Sequence, residues 1–106
     1  MIFTIKQNDT LPILEVQLFD ADGNPINLDL CGVHFHMKNK YSSETIKKQA
    51  SIKDVENGIV QVIWEDGDTS KVGIYQYEFE INMPDGSILT VPNNSYLIIQ
   101  IVKELA

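Results

Sequence analysis

The clearest pattern in the chain is an alternation of large apolar and polar residues across residues 73–81. A period of two predicts a β-strand with one buried and one solvent face, because successive side chains of a strand point to opposite sides of the sheet. The apolar set, expected in the core, is Tyr75, Tyr77, Phe79 and Ile81. The polar set, expected on the opposite face, is Gln76, Glu78 and Glu80. Three aromatic side chains on one face predict that this segment is the central strand of the core.

Further segments repeat the alternation or are rich in β-branched residues. They predict strands around Phe3 and Ile5 and at residues 13–19, 33–38, 59–64, 88–91 and 96–102. A short extended piece is expected at residues 26–28. Segment 46–54 is the least defined: as a strand it places Lys48 on the same face as Ile46 and Ile52, which suits an edge strand or a bulge. A short helix is the alternative for this segment.

Turn signals separate these strands. Asp22-Gly23, Asn57-Gly58 and Asp85-Gly86 are typical of tight hairpins, because glycine adopts positive φ without steric cost. Pro12 limits strand pairing because it has no N–H to donate, and residues 92–95 are expected to break the strand before the last one. About eight short strands joined in this way predict an all-β sandwich or barrel.

Gly73 and Tyr75 form a candidate structural corner. In immunoglobulin-like sandwiches, a tyrosine near the start of the penultimate strand donates a hydrogen bond back to the preceding loop. Tyr75 takes that place, Tyr77 takes the core position two residues later, and Gly73 lies where the loop turns into the strand. The alternative is an ordinary buried tyrosine with a hydrated hydroxyl. The sequence leaves both interpretations open.

Length and composition indicate one ordinary folding unit. The chain has 106 residues, of which 43% are hydrophobic, so we expect a single β-sandwich domain over residues 1–106. No apolar run approaches the ~18 residues that a membrane-spanning helix needs. Residues 1–6 lack the charged and apolar regions of a signal peptide. Folding in the cytoplasm fits the presence of a single cysteine, Cys31.

The charge argues against a nucleic-acid partner. The net charge is −7, whereas phosphate binding needs a basic patch. The lysines of the middle third of the chain do cluster, and a solvated strand face or edge is the favoured interpretation. They are Lys38, Lys40, Lys47, Lys48 and Lys53.

Metal and cofactor sites are not expected. Cys31 is the only cysteine, so an internal disulfide is excluded and a buried or half-buried structural thiol is favoured. His34 and His36 share one strand face, but no third ligand is placed near them by sequence, which favours surface histidines. The segment 20–23 resembles the start of a calcium loop but lacks the downstream bidentate glutamate, so a turn is favoured.

The sequence gives little support for catalysis or for sugar binding. Residues His34 and His36 are the only imidazole bases, and no nucleophile motif accompanies them. Asp66 and Asp68 lie in a loop that looks exposed and are expected to cap the turn before Gly73. A carbohydrate-binding or adhesin-type domain remains an alternative, but Trp64 falls on a predicted core face and Tyr41 stands alone in a loop.

The order of these segments resembles one family over nearly the full length of the chain. The segments that carry the resemblance are residues 3–10, 18–28, 33–37, 57–60, Trp64, Asp68-Thr69, residues 73–75, Asp85-Gly86, Pro92, Tyr96 and residues 99–101. Each segment alone is a common strand or turn, whereas their order is specific. The chain resembles the N-terminal domain of the phage baseplate upper protein.

This resemblance implies an immunoglobulin-like antiparallel β-sandwich and a non-enzymatic structural role in the tail or baseplate of a phage or prophage of a Gram-positive host. It implies docking to other phage tail or baseplate proteins, location in the virion and assembly in the host cytoplasm. It implies no cofactor, nucleic acid or membrane, and a homo-oligomer stays open. The chain stops at Ala106, before the helical linker and distal domain of the full-length protein, so attachment of a receptor-binding protein is not carried over.

Overall fold

A computed structural model describes residues 2–92 and 97–105 of the chain. These residues form nine strands. In chain order they are β1 Ile2–Lys6, β2 Leu14–Gln17, β3 Gly32–Asn39, β4 Thr45–Gln49, β5 Ser51–Asp54, β6 Ile59–Val62, β7 Gly73–Asn82, β8 Ile88–Val91 and β9 Leu97–Val102. Asn93, Asn94, Ser95 and Tyr96, predicted to end one strand and begin the next, lie outside the described residues.

The strands form two sheets packed on one core. The larger, six-stranded sheet has the order β1-β9-β7-β3-β4, and β8 pairs with the second half of β7 on the edge where β9 pairs with the first half. The smaller, three-stranded sheet has the order β2-β6-β5. The prediction of an all-β sandwich is therefore confirmed. The pairing is antiparallel except between β1 and β9, which run parallel, so an antiparallel sandwich was not a complete description.

The segment around Ala50 accounts for one more strand than the eight expected. β4 pairs with β3 in the larger sheet, and β5 pairs with β6 in the smaller sheet. Ala50 lies between them, 5% exposed, and its N–H donates to the Val33 carbonyl at 2.9 Å. The chain thus passes from one sheet to the other at a bend filled by a small residue. The helix alternative for residues 46–54 is wrong.

The strand β7 is central, as predicted. It pairs with β3 along one edge and with β8 and β9 along the other, and its core-facing residues Tyr75, Tyr77, Phe79 and Ile81 are all buried. The ring centroid of Phe35 on β3 lies 5.6 Å from those of both Tyr77 and Phe79. It lies 5.8 Å from that of Trp64, two residues after the end of β6. Burial raises the pKa of Tyr77 to about 12, so its phenol stays neutral in the core.

The hairpin between β5 and β6 contains the tightest turn. Asp54 accepts hydrogen bonds from the backbone and side-chain amides of Asn57, and Gly58 has φ +66°. A Cβ on Gly58 would lie 2.7 Å from the Ile26 carbonyl oxygen and 2.9 Å from that of Leu18. The predicted Asn57-Gly58 turn is therefore confirmed, and glycine is required there both for its φ and for the close approach of backbone.

The first Asp-Gly segment is also a turn. Asp20 accepts hydrogen bonds on Oδ1 from the backbone N–H groups of Asp22 and Asn24, both at 2.9 Å. Its carboxylate therefore shapes the backbone of the turn, as the sequence predicts for this segment.

We expect Gly58→Ala to destabilise the protein by about 3 kcal/mol or more, because it combines a strained φ with contacts to rigid backbone. Gly23→Ala is the matched control: Gly23 has φ +82° but no atom within 4 Å of the added Cβ. We expect the control to cost only about 1 kcal/mol. Urea unfolding of the two variants measures the difference, and equal losses would contradict the role of close backbone approach.

Candidate protein-binding surface

The loop between β6 and β7 is fastened to the start of the chain. Thr69 is 2% exposed, and its hydroxyl donates to the Asp9 carbonyl at 2.8 Å. The Asn8 N–H donates to the Thr69 carbonyl at 3.1 Å, and the Gln7 side-chain amide donates to the Ser70 carbonyl at 3.0 Å. The loop is therefore held by hydrogen bonds to the segment that follows β1.

The loop is also bonded to β7 itself. The hydroxyl of Tyr75 donates to the Lys71 carbonyl at 2.8 Å, four residues upstream, and the tyrosine is 2% exposed. At Gly73 a Cβ would lie 2.6 Å from Nδ2 of Asn39, and φ is +157°. We propose that Gly73 and Tyr75 together act as a structural corner that directs the loop into β7.

A half-buried lysine, Lys48, also holds the loop in place. Lys48 occupies the core-facing side of β4, opposite Phe35 in the β3 ladder, and its side chain is 14% exposed. Its Nζ donates to Oδ2 of Asp68 and to the Ile63 carbonyl, both at 2.6 Å, and lies 3.1 Å from Oε1 of Glu65. Burial acts to lower the pKa of Lys48, but the hydrogen bonds to Asp68 and Glu65 outweigh it, and the net shift is upward.

This arrangement corrects the expectation that Asp68 lies in an exposed loop. Asp68 is half-buried and accepts two hydrogen bonds on Oδ2, from Lys48 and from the N–H of Glu65 at 2.8 Å. The sequence placed Lys48 on the apolar face but not its acidic partners. The sequence signal was a lysine on a core face, which indicates a nearby carboxylate, but Glu44 and Asp54 lie closer along the chain than Asp68, so the pattern did not identify the partner.

The outer face of the larger sheet is the face that points away from the smaller sheet. Its central part consists of His34, His36, Lys38, Lys47, Gln76, Glu78 and Glu80. The members of this set on β3 and β7 alternate with core residues along each strand. Burial of one face of the strand therefore directs the other face outward. The predicted outward position of Gln76, Glu78 and Glu80 is confirmed, and all three are half-buried.

The outer face carries its charges in columns. His36 lies between Glu78 on β7 and Lys47 on β4, and the next row places His34 opposite Glu80. The β7 column is therefore acidic, whereas β3 and β4 supply the basic and imidazole groups. In the part of the chain that the structure describes, the ion pairs within 4 Å involve other lysines, which leaves these charges available to a partner.

A shallow depression of about 330 Å³ lies on this face. Its polar lining comes from His36, Lys38, Thr45, Lys47, Gln76 and Glu78. Amide, hydroxyl, ammonium and carboxylate groups side by side suit hydrogen bonding to the polar surface of another protein. This arrangement suits binding of a protein partner through many weak polar contacts.

The candidate metal ligands are not brought together. The ring Nδ1 of His34 lies 3.1 Å from the side-chain amide of Asn82. Cys31 is half-buried with Sγ 3.7 Å from Sδ of Met83, and burial, with a smaller effect of Asp29, raises the pKa of its thiol. Among the residues described, no three His, Cys, Asp or Glu side chains are grouped closely enough to hold a metal ion.

The candidate sugar-binding residues are separated. Trp64 is 3% exposed, and its indole N–H donates to the Pro12 carbonyl at 3.2 Å, so its predicted core position is confirmed. Tyr41 is 77% exposed, with Nζ of Lys40 at 5.7 Å from the centre of its ring. Of these two candidates, only Tyr41 exposes its ring, whereas a sugar platform needs a flat aromatic surface.

A model of the BppU N-terminal domain family matches residues 2–99, nearly the whole chain. The chain belongs to the BppU N-terminal domain family. The resemblance drawn from the order of strands and turns is therefore confirmed. This is a family of phage baseplate structural proteins, which implies a place in the tail or baseplate of a virion and contacts with other phage structural proteins.

A search of curated proteins found no match to the chain. In the described residues of this BppU N-terminal domain, no helix is long and apolar enough to cross a membrane.

We expect Tyr75→Phe to destabilise the domain by about 1 kcal/mol, because it leaves the Lys71 carbonyl without its buried donor while keeping the ring in place. Tyr41→Phe is the control, since Tyr41 is exposed, and it should change the free energy of unfolding by less than ~0.5 kcal/mol. Chemical denaturation of both variants checks this. Equal stabilities would contradict the proposed corner.

We expect Lys48→Met to destabilise the domain by about 2 kcal/mol, because half-buried Asp68 loses its cation. The control is Lys47→Met, one residue along β4, which changes an exposed lysine on the outer face and should be nearly neutral. Thermal unfolding of the two variants compares them. A Lys47→Met loss as large as that of Lys48→Met would contradict the role of the buried ammonium.

The pH dependence of the stability that Lys48 contributes follows from the raised pKa of its ammonium group. The contribution is fully present below the ordinary lysine pKa of about 10.4 and is lost as the pH rises through the higher value of the folded state. The stability difference between the wild type and Lys48→Met should therefore stay constant near neutral pH and shrink only in strong alkali.

Proposed function

We propose that this chain is a non-enzymatic docking module of a phage or prophage baseplate in a Gram-positive host. Membership of the BppU N-terminal domain family supports the structural role, and the earlier resemblance supports the host type. The proposal treats residues 1–106 as one domain that works without a cofactor, is assembled in the host cytoplasm and contacts neither nucleic acid nor membrane. The net charge of −7 supports the absence of a nucleic-acid partner.

The observation that carries the docking role is the outer face of the larger sheet. Its lysines Lys38 and Lys47 are exposed, and an acidic column of Glu78 and Glu80 runs beside them on β7. A surface that carries positive and negative charges in fixed columns favours a partner whose charges are arranged in the complementary order. Such charge patterns fix the position of the partner on the surface and disfavour other proteins. We therefore assign this face to a neighbouring baseplate protein with a complementary charged surface.

The test uses the double variant Lys38→Glu/Lys47→Glu in the phage that encodes the chain. Both side chains are exposed, so we expect the fold to survive and incorporation into purified virions, measured by mass spectrometry, to fall about tenfold or more. The control is Lys71→Glu/Lys103→Glu, which makes the same change of net charge at exposed positions away from this face. The control should be incorporated normally.

Two outcomes contradict the proposal. Absence of the wild-type chain from purified virions would refute the structural role. Equal incorporation of both double variants would refute the assignment of the outer face.

The alternative is a carbohydrate-binding or adhesin-type domain on the virion or cell surface. The exposed ring of Tyr41 is the feature in its favour. A glycan array with the purified domain tests it. Binding that is lost in Tyr41→Ala would support the alternative, and an array without binding would remove it.

A further inference from the structure

The larger sheet ends at β1, and among the described residues no strand pairs with the far side of β1. The Gln7 N–H donates to the Val102 carbonyl at 2.7 Å, so the odd-numbered residues of this segment direct their backbone groups towards β9. By the alternation of a strand, Ile2, Thr4 and Lys6 direct theirs towards the open edge. The Lys6 carbonyl accordingly accepts a bond outside the ladder, from Asp9. The groups that this edge offers to another strand are therefore the N–H and C=O groups of Ile2 and Thr4 and the N–H of Lys6.

Three of the other edge strands carry features that hinder pairing. β4 has the exposed Lys47 at its centre, β5 has a register shift between Ile52 and Asp54, and four-residue β8 is followed by Pro92. Lysines, bulges and prolines are the means by which natural sheets keep unused edges from pairing. β1 carries no such feature before its last residue, Lys6.

We propose that the open edge of β1 pairs with β1 of a second copy of the chain, antiparallel and centred on Thr4. This register places Thr4 opposite Thr4 of the second copy, Phe3 opposite Ile5, and Ile2 opposite Lys6. The two larger sheets then form one continuous sheet across a twofold axis. Such an interface closes on itself and does not propagate into a fibre.

The side chains of β1 fit this register. Phe3, half-buried, and Ile5, 2% exposed, both face the core, so pairing them continues the apolar layer from one copy into the next. A threonine pair at the centre is favourable across strands, and Ile2, 58% exposed, is covered by the aliphatic stem of Lys6. No like charges face each other.

The same antiparallel pairing of a strand with its own copy is unfavourable at two other edge strands. On β4 the central Lys47 would face its own copy, and on β2 a centre at Glu15 would oppose two carboxylates. Like charges directly opposite destabilise a strand pair. Self-complementarity is therefore the property of β1 that selects a second copy as the occupant of its edge.

The expected association is weak. A pair of five-residue strands buries less than the roughly 1,200 Å² of a standard interface, so we expect a dissociation constant of roughly 10–1,000 μM. Copies held close together on a particle would pair more fully, because tethering raises their effective concentration. Strands β9 and β7 lie between β1 and the lysines Lys38 and Lys47 on β3 and β4, so dimerisation does not rest on the proposed docking function.

The test exploits the twofold axis at Thr4. Thr4 is exposed, so Thr4→Lys and Thr4→Glu should fold normally by circular dichroism, yet each alone should dimerise at least about threefold more weakly in analytical ultracentrifugation. An equimolar mixture should restore dimerisation, because lysine then faces glutamate. Ser51→Lys, at an exposed position on the β5 edge, is the control and should dimerise like the wild type, as should Lys38→Glu/Lys47→Glu.

A second measurement uses a disulfide. Hydrogen-bonded antiparallel partners have Cα atoms about 5.5 Å apart, within disulfide range. Thr4→Cys in a Cys31→Ser background should therefore form a covalent dimer under mild oxidation, and Ser51→Cys in that background should not. The proposal is overturned if the wild type is monomeric up to about 1 mM, if the mixture does not recover, or if the two cysteine variants cross-link equally.

Discussion

The structure depends on burying one face of β7 between the two sheets. Phe35 lies at the centre of this packing, in contact with Tyr77 and Phe79 within its own sheet and with Trp64 from the opposite side. Because side chains alternate along a strand, burial of this face forces the polar residues of β7 outward. The position of the candidate protein-binding surface is therefore a direct consequence of how the core packs.

Hydrogen bonds around the loop before β7 hold the loop in place, as a disulfide holds segments of many small sandwiches together. The loop is tied to the segment after β1 through Thr69, to β4 through Lys48 and to β7 through Tyr75. The bond from Lys48 joins β4 of the larger sheet to the loop that follows β6 of the smaller sheet. Together the three contacts fix the position of the loop on the sandwich.

Local patterns predicted the local features well. The alternation in β3 and β7, the core position of Trp64 and the turns at Gly58 and Gly86 were predicted because each depends on residues close in sequence. The parallel pairing of β1 with β9 was missed because period-two alternation says which face is buried but not which strand lies alongside. The division of the chain at Ala50 was missed because both halves alternate in the same phase.

The candidate site also combines features that the sequence predicted with features that it did not. The outward side chains of β7 followed from alternation, whereas their histidine and lysine neighbours required the register of β3 and β4. The partners of Lys48 lie 15 to 20 residues away along the chain, and the bond from the Tyr75 hydroxyl depends on a loop conformation that the sequence pattern leaves open. Family membership supplied the biological setting, which no single residue of the chain indicates.

The most direct test is a cryo-electron microscopy reconstruction of the virion that carries this chain. We predict that the domain lies in the baseplate and that the outer face of its larger sheet, around His36, Lys47 and Glu78, is covered by a neighbouring baseplate protein. A reconstruction that places the domain in the baseplate with this face open to solvent, or that contains no density for the domain, would contradict it.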